Sequence, residues 1–242
     1  MNSPLLIDCI HGSAEWMEAR RGLVTASRCA DVLALLKKKN DEAAPRKKYR
    51  MELAIEILTG QSFPHYVSQE MQWGIDQEPF ARAAYEIKRN TLVETCGFFV
   101  HPTVDRFGAS PDGLVGSEGL AQFKCPSTAT HLAWILEGIL PVEHAPQMLA
   151  ELACTGRQWN DFVSFDPRLP EHLQLFIRRM ERRDHEPHIA QLEQEVQRFN
   201  GELDKMLAEL PQTQQGITLL LDHPPQSSTG HPISPSSTWY GV

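Results

Sequence analysis

Apolar residues recur along this chain first with a helical period, then in short alternating runs, then with a helical period again. From Ser13 to Leu36 the spacing is helical in two pieces. Ser13 ahead of Trp16-Met17 opens the first, Arg20-Arg21-Gly22 breaks it, and Thr25-Ala26-Ser27 can cap a second through Cys29, Val32, Leu33 and Leu36. Lys37 to Glu42 reads as a solvated segment. A helix with Leu53, Ile55, Ile57 and Leu58 opens on Arg46-Lys47-Lys48-Tyr49-Arg50 and closes at Gly60. After a loop over 61–70, Glu70 to Lys88 is helical, with Trp73, Phe80, Ala84 and Ile87 as its apolar stripe. Gly74 and Pro79 predict a boundary or kink near 78.

Strand patterns then take over. Leu92-Val93-Glu94 and Gly97-Phe98-Phe99-Val100 read as strand material, and Asp105 to Ala109 leads into a turn at Pro111-Asp112-Gly113. Leu114 to Gly116 and Leu120 to Lys124 are strands joined by a Ser117-Glu118-Gly119 turn, and Pro126 ends the second. Helices follow over 128–139 and from Pro146 to about 155. A strand over 159–165 ends in the turn Asp166-Pro167-Arg168, and a further strand spans 173–177. Apolar positions 189, 192, 196, 199, 203, 206 or 207, and 210 stand three and four apart and predict a long amphipathic helix over 189–210. That helix either packs on its own domain or forms a subunit seam. Residues 211–242 are rich in Pro, Ser, Gly and Gln and read as a tail. The order of elements implies a mixed α/β (α+β) fold, with residues 1–210 as a single domain.

Composition narrows the function. The 242 residues carry a net charge of −8, so any attraction to nucleic acid must come from a local field. Five cysteines, at 9, 29, 96, 125 and 154, include no C-x-x-C pair and read as reduced thiols of a cytoplasmic protein. The N-terminus lacks a basic, then apolar, leader, and the longest apolar stretches fall short of the roughly 18 residues that a membrane span needs. His101, His131 and His144 are too scattered for a zinc site, and no phosphate-binding glycine loop supports ATP use. The basic run from Arg46 to Arg50 is either a wet helix edge or a contact with DNA phosphates through Arg46, Lys47, Lys48 and Arg50.

One pattern carries chemistry. Asp112 sits at a tight turn; nine residues separate it from Gln122, which is followed by Phe123 and Lys124. Residues two apart on a strand share a face, so 122 and 124 point to one place and a hairpin can bring Asp112 opposite. A carboxylate there is a hard oxygen ligand suited to Mg²⁺, the Phe123 carbonyl is a further ligand, and a lysine can position a nucleophile and offset phosphoryl charge. Alone the string is weak, because Asp-Gly is also an ordinary turn signal.

In context it is not alone. Trp16 with Arg20 to Ser27, Trp73-Gly74 with Glu78 and Ala81-Arg82, and Ser110-Pro111-Asp112-Gly113-Leu114 occur in order, followed by Phe123 to Pro126, Gln147 and Phe165 to Arg168. From Ser13 to Arg168 the chain resembles the family of lambda-type phage exonucleases and YqaJ-like viral recombinases. The resemblance implies a restriction-endonuclease-like core, a central mixed β-sheet flanked by helices. It also implies Mg²⁺-dependent degradation (Mn²⁺ as substitute) of the 5′-ended strand of linear double-stranded DNA, leaving 3′ overhangs for recombination in a phage- or prophage-bearing bacterial cytoplasm. It further implies a homotrimeric ring, a 5′-phosphorylated DNA end as substrate and a single-strand annealing protein as partner. By the same resemblance, Asp112, position 122, the Phe123 carbonyl and Glu78 hold the metal, and Lys124 is the catalytic lysine. Gln147 orders the attacking water, and Arg20 and Ser27 receive the 5′-phosphate.

Gln122 departs from that pattern, which has glutamate there. The amide removes one charge and one strong oxygen ligand, so the expectation is an exonuclease impaired at its metal site but still able to bind DNA. The alternatives are a non-catalytic DNA-end-binding scaffold and a structure-selective endonuclease on the same core.

Overall fold

A computed structural model describes residues 4–35, 42–64 and 67–211. Met1–Leu207 forms one compact unit and Ala208–Val242 a second. The expected tail from residue 212 onward and most of the Lys37 to Glu42 segment lie outside the described residues. Among the described residues no helix is long and apolar enough to cross a membrane.

The centre is a five-stranded mixed sheet. Its strands are β3 (Val93–Glu94), β6 (Gly113–Val115), β7 (Gly119–Lys124), β8 (Trp159–Phe165) and β9 (Leu175–Glu181), in the order β3-β6-β7-β8-β9. Only β7 and β8 run parallel; the other neighbours are antiparallel. A second, four-stranded sheet has the order β1-β4-β5-β2, from Leu5–Ile7, Phe98–Val100, Phe107–Ala109 and Val24–Thr25. Patterning did not predict β1 or β2. They have three and two residues, too few for alternation to show, and Leu5 and Leu6 remain exposed.

Helices α1 (Ala14–Arg20), α3 (Ala44–Thr59), α5 (Thr128–Glu137) and α6 (Ala145–Thr155) fall where the apolar spacing predicts them. Ser13 caps α1 by accepting from the Trp16 N–H, and Gly60 ends α3 at φ 64°. The helix expected from Cys29 to Leu36 is a single turn, α2 (Cys29–Val32), preceded by a 3₁₀ turn over Ala26–Arg28. Helix α4 (Gln69–Arg89) passes through Pro79 without a boundary. The Ile75 carbonyl that Pro79 leaves unbonded belongs to an exposed residue, where water can serve it. Its buried face is Ala81 and Tyr85, while Phe80 and Ile87 of the expected stripe are exposed.

The last helix, α7 (Arg182–Glu209), starts about two turns before the predicted point. Ile189, Leu192, Val196, Phe199 and Leu203 are all buried against this chain's own core. At about 1.5–3 kcal/mol per apolar side chain, that stripe contributes on the order of 10 kcal/mol.

One expectation is overturned here. Arg46 is fully buried, not at a wet edge: its guanidinium donates to Glu202 of α7 at 3.0 Å and to the Val32 carbonyl, and lies over the Phe199 ring. Arg50 is held by Glu42 and by Glu202 at 3.0 Å. These two arginines tie α3 to α7 and are not presented to DNA. Lys48 is exposed, 3.8 Å from Glu52, and Lys47 is exposed on the same helix.

Candidate active site

The β6–β7 hairpin builds the site. Gly113 pairs with Ala121 and Leu114 with Leu120, so Asp112, one residue before β6, stands across from Gln122. Asp112 Oδ2 accepts from the Phe123 N–H at 2.8 Å and from the Gln122 Nε2. Gly113 is required by close approach rather than by a turn, because a Cβ there would lie 2.1 Å from Val93 Cγ1. Ser110, ahead of it, accepts from Trp16 Nε1 at 2.9 Å and donates to the Gly97 carbonyl at 3.0 Å. The motif is thereby fastened to α1 and β4.

Alternation along β7 divides the work. Ala121 and Phe123 pack with Ala81 and Tyr85 of α4, while Leu120 belongs to the core that α6 covers. Gln147 of α6 reaches the site from that side. Its Nε2 donates to Gln122 Oε1 at 2.8 Å, and its Oε1 accepts from Lys124 Nζ at 3.3 Å. Glu78 comes from α4, with Arg82 3.3 Å away; Arg82 also donates to the Asp112 carbonyl at 2.8 Å.

A cavity of about 480 Å³ gathers Arg20, Ser27, Glu78, Asp112, Gln122, Phe123, Lys124 and Gln147. The structure thus brings together all the predicted site residues except the basic run of α3. Arg20 lies over the Trp16 ring at 3.9 Å, just ahead of the left-handed turn at Gly22 (φ 71°). The Gly22 N–H donates to the buried carboxylate of Glu56 at 2.7 Å, which anchors this turn on α3. Ser27 is exposed at the cavity. It lies in the 3₁₀ turn ahead of α2, and with four residues α2 is too short to add an appreciable helix-end field.

Burial, first of all, pushes the Asp112 carboxyl up, against Lys124 and the Phe123 N–H, which pull it down. Burial and then the Asp112 charge push Glu78 up, against Arg82. Cys125, also on the cavity wall, has its thiol pushed up to about 12 by burial and these two acids, so it is no nucleophile at neutral pH.

Three contributors were not predicted. His11 and His144 line the cavity, and burial lowers His144 to about 4. Glu151 lies under Gln147 on α6 and is fully buried. It accepts from Gln147 Nε2 at 2.9 Å and from Asn160 Nδ2 at 2.7 Å, and burial, then Asp112, push it up to about 8. Its spacing of four from Gln147 was a readable signal; for the histidines the sequence held none.

The donor set fits a divalent cation poorly. Among the described residues no group of three or more His, Cys, Asp or Glu could hold one. Gln122 turns its carbonyl to Gln147 and its N–H to Asp112, so a donor occupies the side of Asp112 where a second carboxylate would face it. A glutamate at 122 would keep the Gln147 contact and set two anionic oxygens against each other, an arrangement that calls for a cation between them.

The family model for the YqaJ-like viral recombinase domain matches residues 15–158. The chain is similar to the alkaline exonuclease LHK-Exo of Laribacter hongkongensis, at 44% identity. The similarity covers 86% of this chain and 100% of that one, with TM-scores of 0.75 for its complex with dAMP and 0.74 for a second structure. A phage-related exonuclease of Haemophilus somnus 129PT shares the fold at 15% identity, covering 78% of this chain and 96% of that one, with a TM-score of 0.57. No curated protein matches the chain. The chain therefore belongs to the YqaJ-like viral recombinase family and has the restriction-endonuclease-like nuclease fold.

Proposed function

We propose that this protein is a nuclease of DNA recombination. In this reading it engages the 5′-phosphorylated ends of linear double-stranded DNA, and its family's 5′-to-3′ strand degradation is impaired here by Gln122. The observation that carries this is the Gln122 amide bridging Asp112 and Gln147, where the cleavage-competent arrangement needs a carboxylate. Arg20 at the cavity wall suits a terminal phosphate, since a guanidinium fork matches its oxygens. Asp112, Glu78 and the Phe123 carbonyl are the remaining oxygen ligands for Mg²⁺, or Mn²⁺ in its place. The metal, when bound, supplies activation of water and stabilisation of phosphoryl charge. Membership of the family and likeness to LHK-Exo support the nuclease reading. A cytoplasmic homotrimeric ring working with a single-strand annealing protein belongs to the same proposal.

The test is strand release from linear 5′-phosphorylated duplex in Mg²⁺, for the native chain beside Gln122→Glu. Cleavage by the Glu form, at least about a hundred-fold above the native chain, is expected. Equal rates would remove position 122 from the metal site. End binding without cleavage in either form would favour a scaffold. Cutting of circular duplex would favour an endonuclease.

A further inference from the structure

Glu151 is a buried acid that the proposed chemistry leaves unused. Among the described residues it has no ion-pair partner, and burying an unpaired carboxyl is costly, so its contacts ask for an explanation. Those contacts form one chain. Asp112 accepts from Gln122 Nε2, Gln122 Oε1 accepts from Gln147 Nε2, and the same Nε2 donates to Glu151 Oε1. Two amides, each able to rotate end for end, are thus pinned between two carboxyl groups that accept.

We propose that Glu151 is a positioning residue that holds the Gln147 amide with its nitrogen inward and its oxygen toward Lys124, and so sets where the Lys124 ammonium stands. Reversal of Gln147 would put its carbonyl against Glu151 Oε1 and its NH₂ against the Lys124 ammonium, an unfavourable contact at both ends. The restraint does not depend on the charge of Glu151. Its Oε1 accepts in either state. A protonated Oε2 can donate to Asn160 Oδ1, which has no partner among the described residues, once the Asn160 amide turns over. The activity arm of the test rests on the nuclease reading above; the spectroscopic arm does not.

In the Gln122→Glu form, Glu151→Leu and Glu151→Asp are compared with Glu151→Gln. Leucine removes the acceptor, aspartate keeps the carboxyl but withdraws it by one methylene, and glutamine keeps an oxygen in place. The Leu and Asp variants are expected to lose about ten-fold to a hundred-fold in kcat with KM for DNA ends unchanged, and the Gln variant to retain kcat. In the native chain labelled with ¹⁵N, the Gln147 side-chain amide is expected to show slow hydrogen exchange. With Leu or Asp at 151 the protection should vanish for the proton that faces position 151, while the one bonded to Gln122 Oε1 stays protected, and with Gln both should persist. A purely structural role would lower melting temperature alike in Leu, Asp and Gln without separating them in kcat or amide exchange, and that result overturns the proposal. If Leu does not fold, the Asp and Gln pair decides. If the Gln122→Glu form fails to cleave, the nuclease reading falls, and the amide signal alone decides the role of Glu151.

Discussion

Replacing Glu151 by glutamine should flatten the fall in stability with pH on the alkaline side of neutrality. The carboxyl is fully buried and pushed from its ordinary 4.5 to about 8 in the folded protein, first by burial and then by Asp112. The folded state therefore holds this proton more tightly than the unfolded chain does. The resulting stability is fully present below the unfolded value and is lost as pH rises through the folded one. A group shifted this far contributes about 2 kcal/mol near pH 6.5 and almost nothing by about pH 8.5. For a domain of this size, that is about 4–8 °C in melting temperature. His144, lowered to about 4, acts in the opposite sense, but only below its unfolded value of 6.5, outside this window. Asp112 and Glu78 are also pushed up, so Glu151 is read from the difference between the two curves rather than from the native curve alone. The assay is urea unfolding followed by tryptophan fluorescence, in EDTA, at half-unit pH steps, for the native chain and Glu151→Gln. Relative to the variant's, the native curve should fall by about 2 kcal/mol across the window. Parallel curves would refute the reasoning, because the Glu151 proton would then be bound equally by both states.

Other perturbations test other parts of the structure. Arg46→Ala should cost about 2–4 kcal/mol in urea unfolding, because Glu202 and the Val32 carbonyl lose a buried partner; unchanged stability with weakened DNA binding would restore the phosphate-contact reading. Tyr85→Phe removes the 2.8 Å hydrogen bond to the buried Asp161, which Arg179 still holds at 2.7 Å, so about 1–2 kcal/mol should be lost. Phe199→Ala should cost about 3–5 kcal/mol by leaving a cavity under α7. Arg20→Ala should lower the preference for 5′-phosphate over 5′-hydroxyl ends about ten-fold or more in competition binding, with little change in affinity for internal duplex. An unaltered preference would place the phosphate elsewhere.

The parts of this architecture that local spacing controls were readable beforehand. The Asp112–Gln122 pairing follows from the length of a hairpin, and the stripe from Ile189 to Leu203 from a period that no other element could use. Glu78 was legible only through the family resemblance, since a lone helical glutamate carries no mark of the cavity it lines. The basic run of α3 was ambiguous for a physical reason. Arg46 and Lys48 look alike in sequence, and what buries one and exposes the other is Glu202, a residue 156 positions from Arg46. The short strands β1 and β2 escaped because two or three residues cannot express a period, and sheet pairing with β4 and β5 supplies what local preference does not.

Position 122 joins these levels. Its place on β7 is set by strand register, its burial by α6, and its orientation by Asp112 and Gln147. With glutamine there, the site closes on itself through hydrogen bonds and needs no ion. With glutamate, the same backbone would present repelling oxygens and a demand for a cation. In metal-free buffer, Gln122→Glu should therefore lower stability, by about 1–3 kcal/mol for a buried carboxyl set against Asp112. Added Mg²⁺ should recover that loss by binding the folded state, while the native chain should respond little. Melting curves of both proteins with and without Mg²⁺ measure this directly, without reference to cleavage. An equal response of the two to the metal would show that residue 122 does not govern the ion, and the chemical reading of this site would have to be rebuilt from Asp112 and Glu78 alone.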